Sequence, residues 1–277
     1  MDVIGTYQER EFPKSRTTSI DWVEVGRSKR HIPIVVELDV TAARSYIHNL
    51  KETSGEGLSF TGWVIKCVGQ AVSEHKHVHA MRKGKKKLII FDDVDISIAV
   101  ERATGGSRNR SETLPMPYVV RRANQKSVRE IHNQIRAAQA EPIEAGVVGF
   151  GAQKYYPYFQ NLFFSLPSSL RKLTVYRRLV RDPFFAKKIM GTVAVTSVGM
   201  FGKGGGGSSW GIPVGIHPLG IALGGIARKP GIVGDKVEVR EYLGMTILFD
   251  HDITDGAPVA RFVQRLRELI ENAYGLE

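Results

Sequence analysis

A histidine flanked by two carboxylates, Asp250-His251-Asp252, stands four positions before Asp255, where an apolar strand pattern gives way to a helical one. Imidazole titrates near neutrality, so a histidine held at such a junction suits a general base. The strand pattern is Gly244-Met245-Thr246-Ile247-Leu248-Phe249, short, apolar and partly β-branched. The helical pattern has Pro258 in its first turn. Val259, Phe262, Val263, Leu266, Leu269 and Ile270 then recur on one face, while Arg261, Gln264, Arg265, Arg267 and Glu268 fill the other. His251 is therefore expected at a fixed strand end. A lone histidine also serves as a satisfied structural residue, and that alternative stands beside the catalytic one.

Other segments carry weaker chemical signals. His75-x-His77-x-His79 would share one face of a strand and suit zinc, but no cysteine cluster accompanies it and no metal site is expected. The run Lys203-Gly204-Gly205-Gly206-Gly207-Ser208-Ser209 lacks the Gly-Lys-Ser/Thr ending of a phosphate loop and reads as a turn. Cys67, the single cysteine, lies among apolar residues of a helical stretch and is expected to be a buried, inert thiol.

The pattern His-x-x-x-Asp-Gly at 251–256, followed by Ala-Pro-x-Ala-Arg-Phe, resembles the active-site signature of the dihydrolipoamide acyltransferases of 2-oxoacid dehydrogenase complexes, in the chloramphenicol acetyltransferase-like superfamily. Gly191-Thr192-Val193-Ala194-Val195-Thr196-Ser197-Val198-Gly199 looks like that family's glycine-bounded strand and turn. Further matches lie at 94–100, 117–123 and 212–226, so the resemblance runs from about Arg16 to the end. It implies an α/β fold, a chloramphenicol acetyltransferase-like two-layer sandwich with a mixed sheet. It also implies acyl transfer between dihydrolipoamide and coenzyme A, with His251 as base, the Thr196 hydroxyl stabilising the oxyanion, and Asp255 ordering the turn. A homotrimer is implied, its site shared between chains and serving dehydrogenase components, and further assembly into a larger core stays open. The 55 positions between Thr196 and His251 neither require nor exclude contact between chains.

With 277 residues and 42% hydrophobic content, the chain is expected to be one catalytic domain spanning 1–277. No lipoyl or subunit-binding module is recognised, so the lipoyl group is expected on a separate carrier protein. The stretch at about 141–190 departs from the family pattern. It holds Tyr155, Tyr156, Tyr158, Phe159, Phe163 and Phe164, then a basic amphipathic segment, and reads as an extra helical hairpin or else as a membrane-surface or partner-docking element. The N-terminus lacks the apolar core of a signal peptide, and a cytoplasmic protein is expected. A net charge of +11 calls for an acidic partner. The absence of any nucleic-acid motif directs that expectation to coenzyme A or a membrane surface.

Strand patterns at 33–40, 88–91, 94–100, 192–197, 220–226, 236–241 and 244–249, and helical patterns at 40–52, 61–74, 127–140 and 258–274, would have to position these residues. The region 236–249 reads as a hairpin. Two other functions remain open: a coenzyme A-dependent acetyltransferase of a small alcohol or amine, and a non-catalytic scaffold of the same fold.

Overall fold

The computed structural model describes residues 4–12, 14–103, 113–141, 166–197 and 208–276. Its longest pairing is antiparallel, between strands β7 (Leu219–Val233) and β8 (Lys236–Asp250). The two strands expected at 236–241 and 244–249 are thus one, and its hairpin partner is β7. Gly244 reads as a strand breaker, yet it sits mid-strand because a neighbour crosses there. A Cβ on it would lie 2.8 Å from the Ser209 carbonyl oxygen and 3.1 Å from Trp210 Nε1.

Strand β1 (His31–Asp39) pairs antiparallel with the other edge of β8. On the far side, β6 (Val193–Ser197) runs parallel to β7 and to β4 (Ile96–Ala103), and β5 (Thr113–Val120) closes the sheet antiparallel to β4. The six-stranded order is β1-β8-β7-β6-β4-β5, mixed as expected. The sequence does not announce β5, because Pro115 and Pro117 interrupt it; an edge strand tolerates prolines that a central one would not. A separate short ribbon pairs β2 (Met81–Lys83) with β3 (Lys87–Ile89).

One face of the sheet carries the main core. Helix α3 (Phe60–Glu74) buries Trp63, Val64, Ile65, Cys67, Val68, Ala71 and Val72, and its neighbours are α4 (Val128–Ala140) and α7 (Gly256–Glu271). Val193, Val195, Ile221, Leu223, Met245 and Ile247 meet them from the strands. Each such fully buried aliphatic side chain contributes about 1.5–3 kcal/mol. A capping box between Ser127 and Glu130 starts α4, and α2 (Thr41–Ser54) ends at the left-handed Gly55.

The opposite face is covered at one end by α1 (Lys14–Arg27), by α5 (Ser168–Arg171, continued through a π turn at Lys172–Tyr176 into Arg177–Arg181) and by α6 (Pro183–Met190). Met81, Tyr176, Leu179, Ala186, Met190 and Ile216 form a second cluster there, with Trp22 packed against it. A buried ion pair, Arg171 Nε to Asp21 at 2.7 Å, ties α5 to α1. Periodicity does not reveal α1, whose Thr-Thr-Ser-Ile segment favours other conformations; tertiary contacts hold it. Of the atypical stretch, the aromatic residues 155–164 lie outside the described residues. Within 166–190 the helices pack on the chain's own core, and Arg171, Lys172 and Arg178 are engaged by Asp21, Glu24 and Asp182.

Candidate active site

Strand β8 ends at Asp250, and His251 opens the turn that follows. Asp250 is buried. Its carboxylate accepts hydrogen bonds from the Asp252 N–H at 3.1 Å and from Lys29 Nζ at 3.0 Å, and its carbonyl accepts from the Ile253 N–H at 2.9 Å. The His251 N–H donates to the Arg30 carbonyl at 3.0 Å, while the Arg30 guanidinium grips Asp252 at 2.5 Å. The backbone under His251 is therefore fixed from both sides. Its imidazole is exposed, 5.9 Å from the Phe249 ring. These contacts give His251 a rigid base and an accessible ring, as a proton acceptor for an external thiol requires.

Asp255 is the residue just before the first turn of α7. It is exposed at the start of α7, and its side chain makes no cap hydrogen bond. The Asp250 carboxylate, at the end of an apolar strand, also orders this turn.

Thr196 projects from β6 on the face opposite the main core, as alternation with Val193 and Val195 requires. It lines a cavity of about 420 Å³ between the sheet, α1 and the segment Pro213–Gly215. Within the sheet Thr196 pairs with Ala222, and Ala222 with Thr246, five residues before His251. At about 3.3 Å per residue and 4.8 Å per strand, the two backbones are roughly 19 Å apart. One chain therefore does not bring the Thr196 hydroxyl and the His251 ring to a common atom.

A polar frame stands at the start of β4 and β6. Asp95 receives the Arg122 N–H at 2.9 Å, Lys187 Nζ at 2.9 Å and Arg121 at 3.0 Å. Burial raises its pKa, but these donors outweigh that and hold the carboxyl below its usual range. The Asp95 carbonyl accepts from the N–H groups of Thr192 and Val193, passing the order to β6. Gly191, at φ 75°, is required at this junction, since a Cβ would lie 2.6 Å from the Asp95 carbonyl oxygen. His217 is buried beside it, bonded through Nε2 to the Met190 carbonyl at 2.8 Å, and burial pushes its pKa down to about 4.

The three histidines at 75, 77 and 79 lie on a helical turn, so they do not share the face a strand would give them. His79 is buried, with Nδ1 2.9 Å from the Thr192 hydroxyl and Nε2 3.1 Å from the Phe91 carbonyl; burial brings its pKa down to about 4. Among the described residues no group of three potential ligands is arranged to hold a metal ion. Cys67 is fully buried, which pushes its thiol pKa far up. Among the described residues no helix is long and apolar enough to cross a membrane.

The family described as "2-oxoacid dehydrogenases acyltransferase (catalytic domain)" matches residues 11–144 and 189–276. The chain belongs to this family. Both Thr196 and His251 lie in the matched parts, and 145–188 lies outside them. Among curated members, the lipoamide acyltransferase component of the branched-chain alpha-keto acid dehydrogenase complex of Bacillus subtilis is 24% identical over 272 residues, covering 95% of this chain and 53% of its own length. The acetyltransferase component of the pyruvate dehydrogenase complex of Acholeplasma laidlawii is 26% identical, covering 89% of this chain and 38% of its own length. The chain thus spans about half or less of these relatives. Two solved structures share the fold. A probable dihydrolipoamide acetyltransferase from Listeria monocytogenes aligns with TM-score 0.63 at 22% identity, over 97% of this chain and 96% of its own. The cubic core of a pyruvate dehydrogenase multienzyme complex aligns with TM-score 0.65 at 17% identity, over 98% and 95%.

Proposed function

We propose that this chain catalyses acyl transfer between dihydrolipoamide, carried on a separate protein, and coenzyme A, at sites shared between copies of the chain. His251 removes the proton from the incoming thiol, whose ordinary pKa of about 8.5 leaves it mostly protonated at neutral pH. The thiolate attacks the carbonyl carbon of the acyl thioester held by the partner thiol. A tetrahedral oxyanion forms, and the Thr196 hydroxyl donates a hydrogen bond to it. Collapse breaks the original carbon–sulfur bond, and the departing thiolate takes the proton back from the His251 imidazolium. Asp255 acts as a positioning residue at the start of α7.

The observation that carries this reading is the separation of the two groups. The sheet register that holds Thr196 and His251 apart in one chain supports a site assembled from the hydroxyl of one copy and the imidazole of the next, as in a trimer. The Azotobacter vinelandii acetyltransferase, in whose catalytic mechanism a serine, a histidine and an asparagine have been investigated, supports the same pairing of hydroxyl and imidazole. The cubic core cited above and the truncated catalytic core from Thermoplasma acidophilum support assembly into a multi-subunit core serving dehydrogenase components.

Complementation tests the shared site. His251→Ala and Thr196→Val are each expected to be inactive alone, while co-expressed and randomly mixed they are expected to recover about a quarter of wild-type activity, because a head-to-tail interface then joins an intact Thr196 to an intact His251 in about one site in four. No recovery in verified mixed oligomers would overturn the shared site.

A further inference from the structure

The transfer chemistry uses only one hydroxyl of the 420 Å³ cavity that Thr196 lines. The rest of its wall has its own character. Ser97, Ala194 and Gly220 stand side by side across β4, β6 and β7 in a single row, and these small residues hollow out the floor. Trp22 and Val23 of α1 form the roof, and Met116, Pro117 and Leu248 line the sides. Among the described residues no Asp, Glu, Lys or Arg lines it, and its two histidines are engaged, His217 Nε2 with the Met190 carbonyl and His31 Nε2 with the His217 carbonyl. The roof is fixed: Asp21, next to Trp22, is the buried partner of Arg171, and the Tyr176 hydroxyl donates to the Thr18 carbonyl at 3.1 Å. The Trp22 ring rests 6.5 Å from Tyr176 and 5.9 Å from His217.

We propose that this cavity is the acyl-chain pocket of the transfer site, and that it selects thioesters of branched or medium-length apolar acids over acetyl and over acyl groups ending in a carboxylate. The assignment rests on the acyltransferase reading and adds its substrate class. A hollow of this size accepts a ligand-sized apolar group. Acetyl would leave most of its wall without contact. A terminal carboxylate would be buried with no lysine or arginine to meet it among the described residues. The same hollow places the acyl carbonyl beside the Thr196 hydroxyl, so pocket and oxyanion donor serve one substrate.

The experiment follows thiol release from acetyl-, isovaleryl-, hexanoyl- and succinyl-coenzyme A with free dihydrolipoamide as acceptor and the assembled full chain as enzyme. The expected kcat/KM for isovaleryl and hexanoyl exceeds that for acetyl by about tenfold or more, with succinyl lowest. Ala194→Leu, which fills the floor, is expected to lower the isovaleryl-to-acetyl ratio by about tenfold. Ser97→Leu, in the same row, repeats the test should the first variant not fold by circular dichroism. Equal or better use of acetyl or succinyl by the wild type, or an unchanged ratio in a folded variant, overturns the pocket and leaves the acyltransferase reading standing. A wild type that releases no thiol from any thioester, matching His251→Ala, defeats that reading and the pocket with it.

Discussion

His251 and Thr196 divide the proposed chemistry, and the consequences of removing them differ. Loss of a general base typically costs 10²–10⁴-fold, so His251→Ala is expected to lower kcat by about that factor with little change in KM for coenzyme A thioesters. Thr196→Val keeps the β-branched shape and removes only the donor, for an expected loss of about 3 kcal/mol in transition-state stabilisation. Steady-state kinetics on folded variants checks both, and a His251→Ala enzyme with unchanged kcat would end the base assignment. Asp250 shows why residue type alone is not enough. It was legible as part of a motif, but only the folded turn gives its carboxylate the Lys29 ammonium and the Asp252 N–H.

At the scale of elements, α1 and α5 form one unit through the Arg171–Asp21 pair, with side chains 4% and 2% exposed. Breaking such a pair strands a buried charge, so Arg171→Met is expected to destabilise the protein by about 3–5 kcal/mol. Urea unfolding measures that loss, and a midpoint within error of wild type would mean that α1 is held by other contacts. Long helices were readable because one apolar face repeats: α3, α4 and α7 appear within a few residues of their expected ranges. Helix α1 and strand β5 were not readable. The first has a weakly patterned, Thr- and Ser-containing sequence, and the second has prolines that only an edge position accommodates.

For the whole molecule, pH and concentration are the informative variables. His79 and His217 are both held to about 4 by burial, below their ordinary value near 6.5. Between those values the unfolded chain binds protons that the folded one does not, so stability is full above about pH 6.5 and declines as pH falls toward 4. Asp95, lowered in the folded state, extends the decline into the range where carboxylates protonate. Thermal unfolding from pH 8 to pH 4 is expected to show this fall, and a flat profile above pH 5 would contradict the burial of both histidines. A site built from two chains also predicts that specific activity drops on dilution together with the mass measured by light scattering. Full activity at monomer mass would rule that site out.

The amino-acid sequence by itself determined the α/β class, the helical faces and the segments holding His251 and Thr196, because these depend on local periodicity and on residue types at short spacing. It also carried the likeness to the acyltransferase family through motifs a few residues long. Tertiary structure alone decided that 236–250 is one strand, that the Asp250 carboxylate meets Lys29 and the Asp252 N–H, and that Thr196 opens into an apolar cavity roofed by α1. It also decided the distance between hydroxyl and imidazole. Local pattern fixes which residues share a face, but register between strands far apart in sequence fixes which residues meet, and no spacing along the chain encodes that.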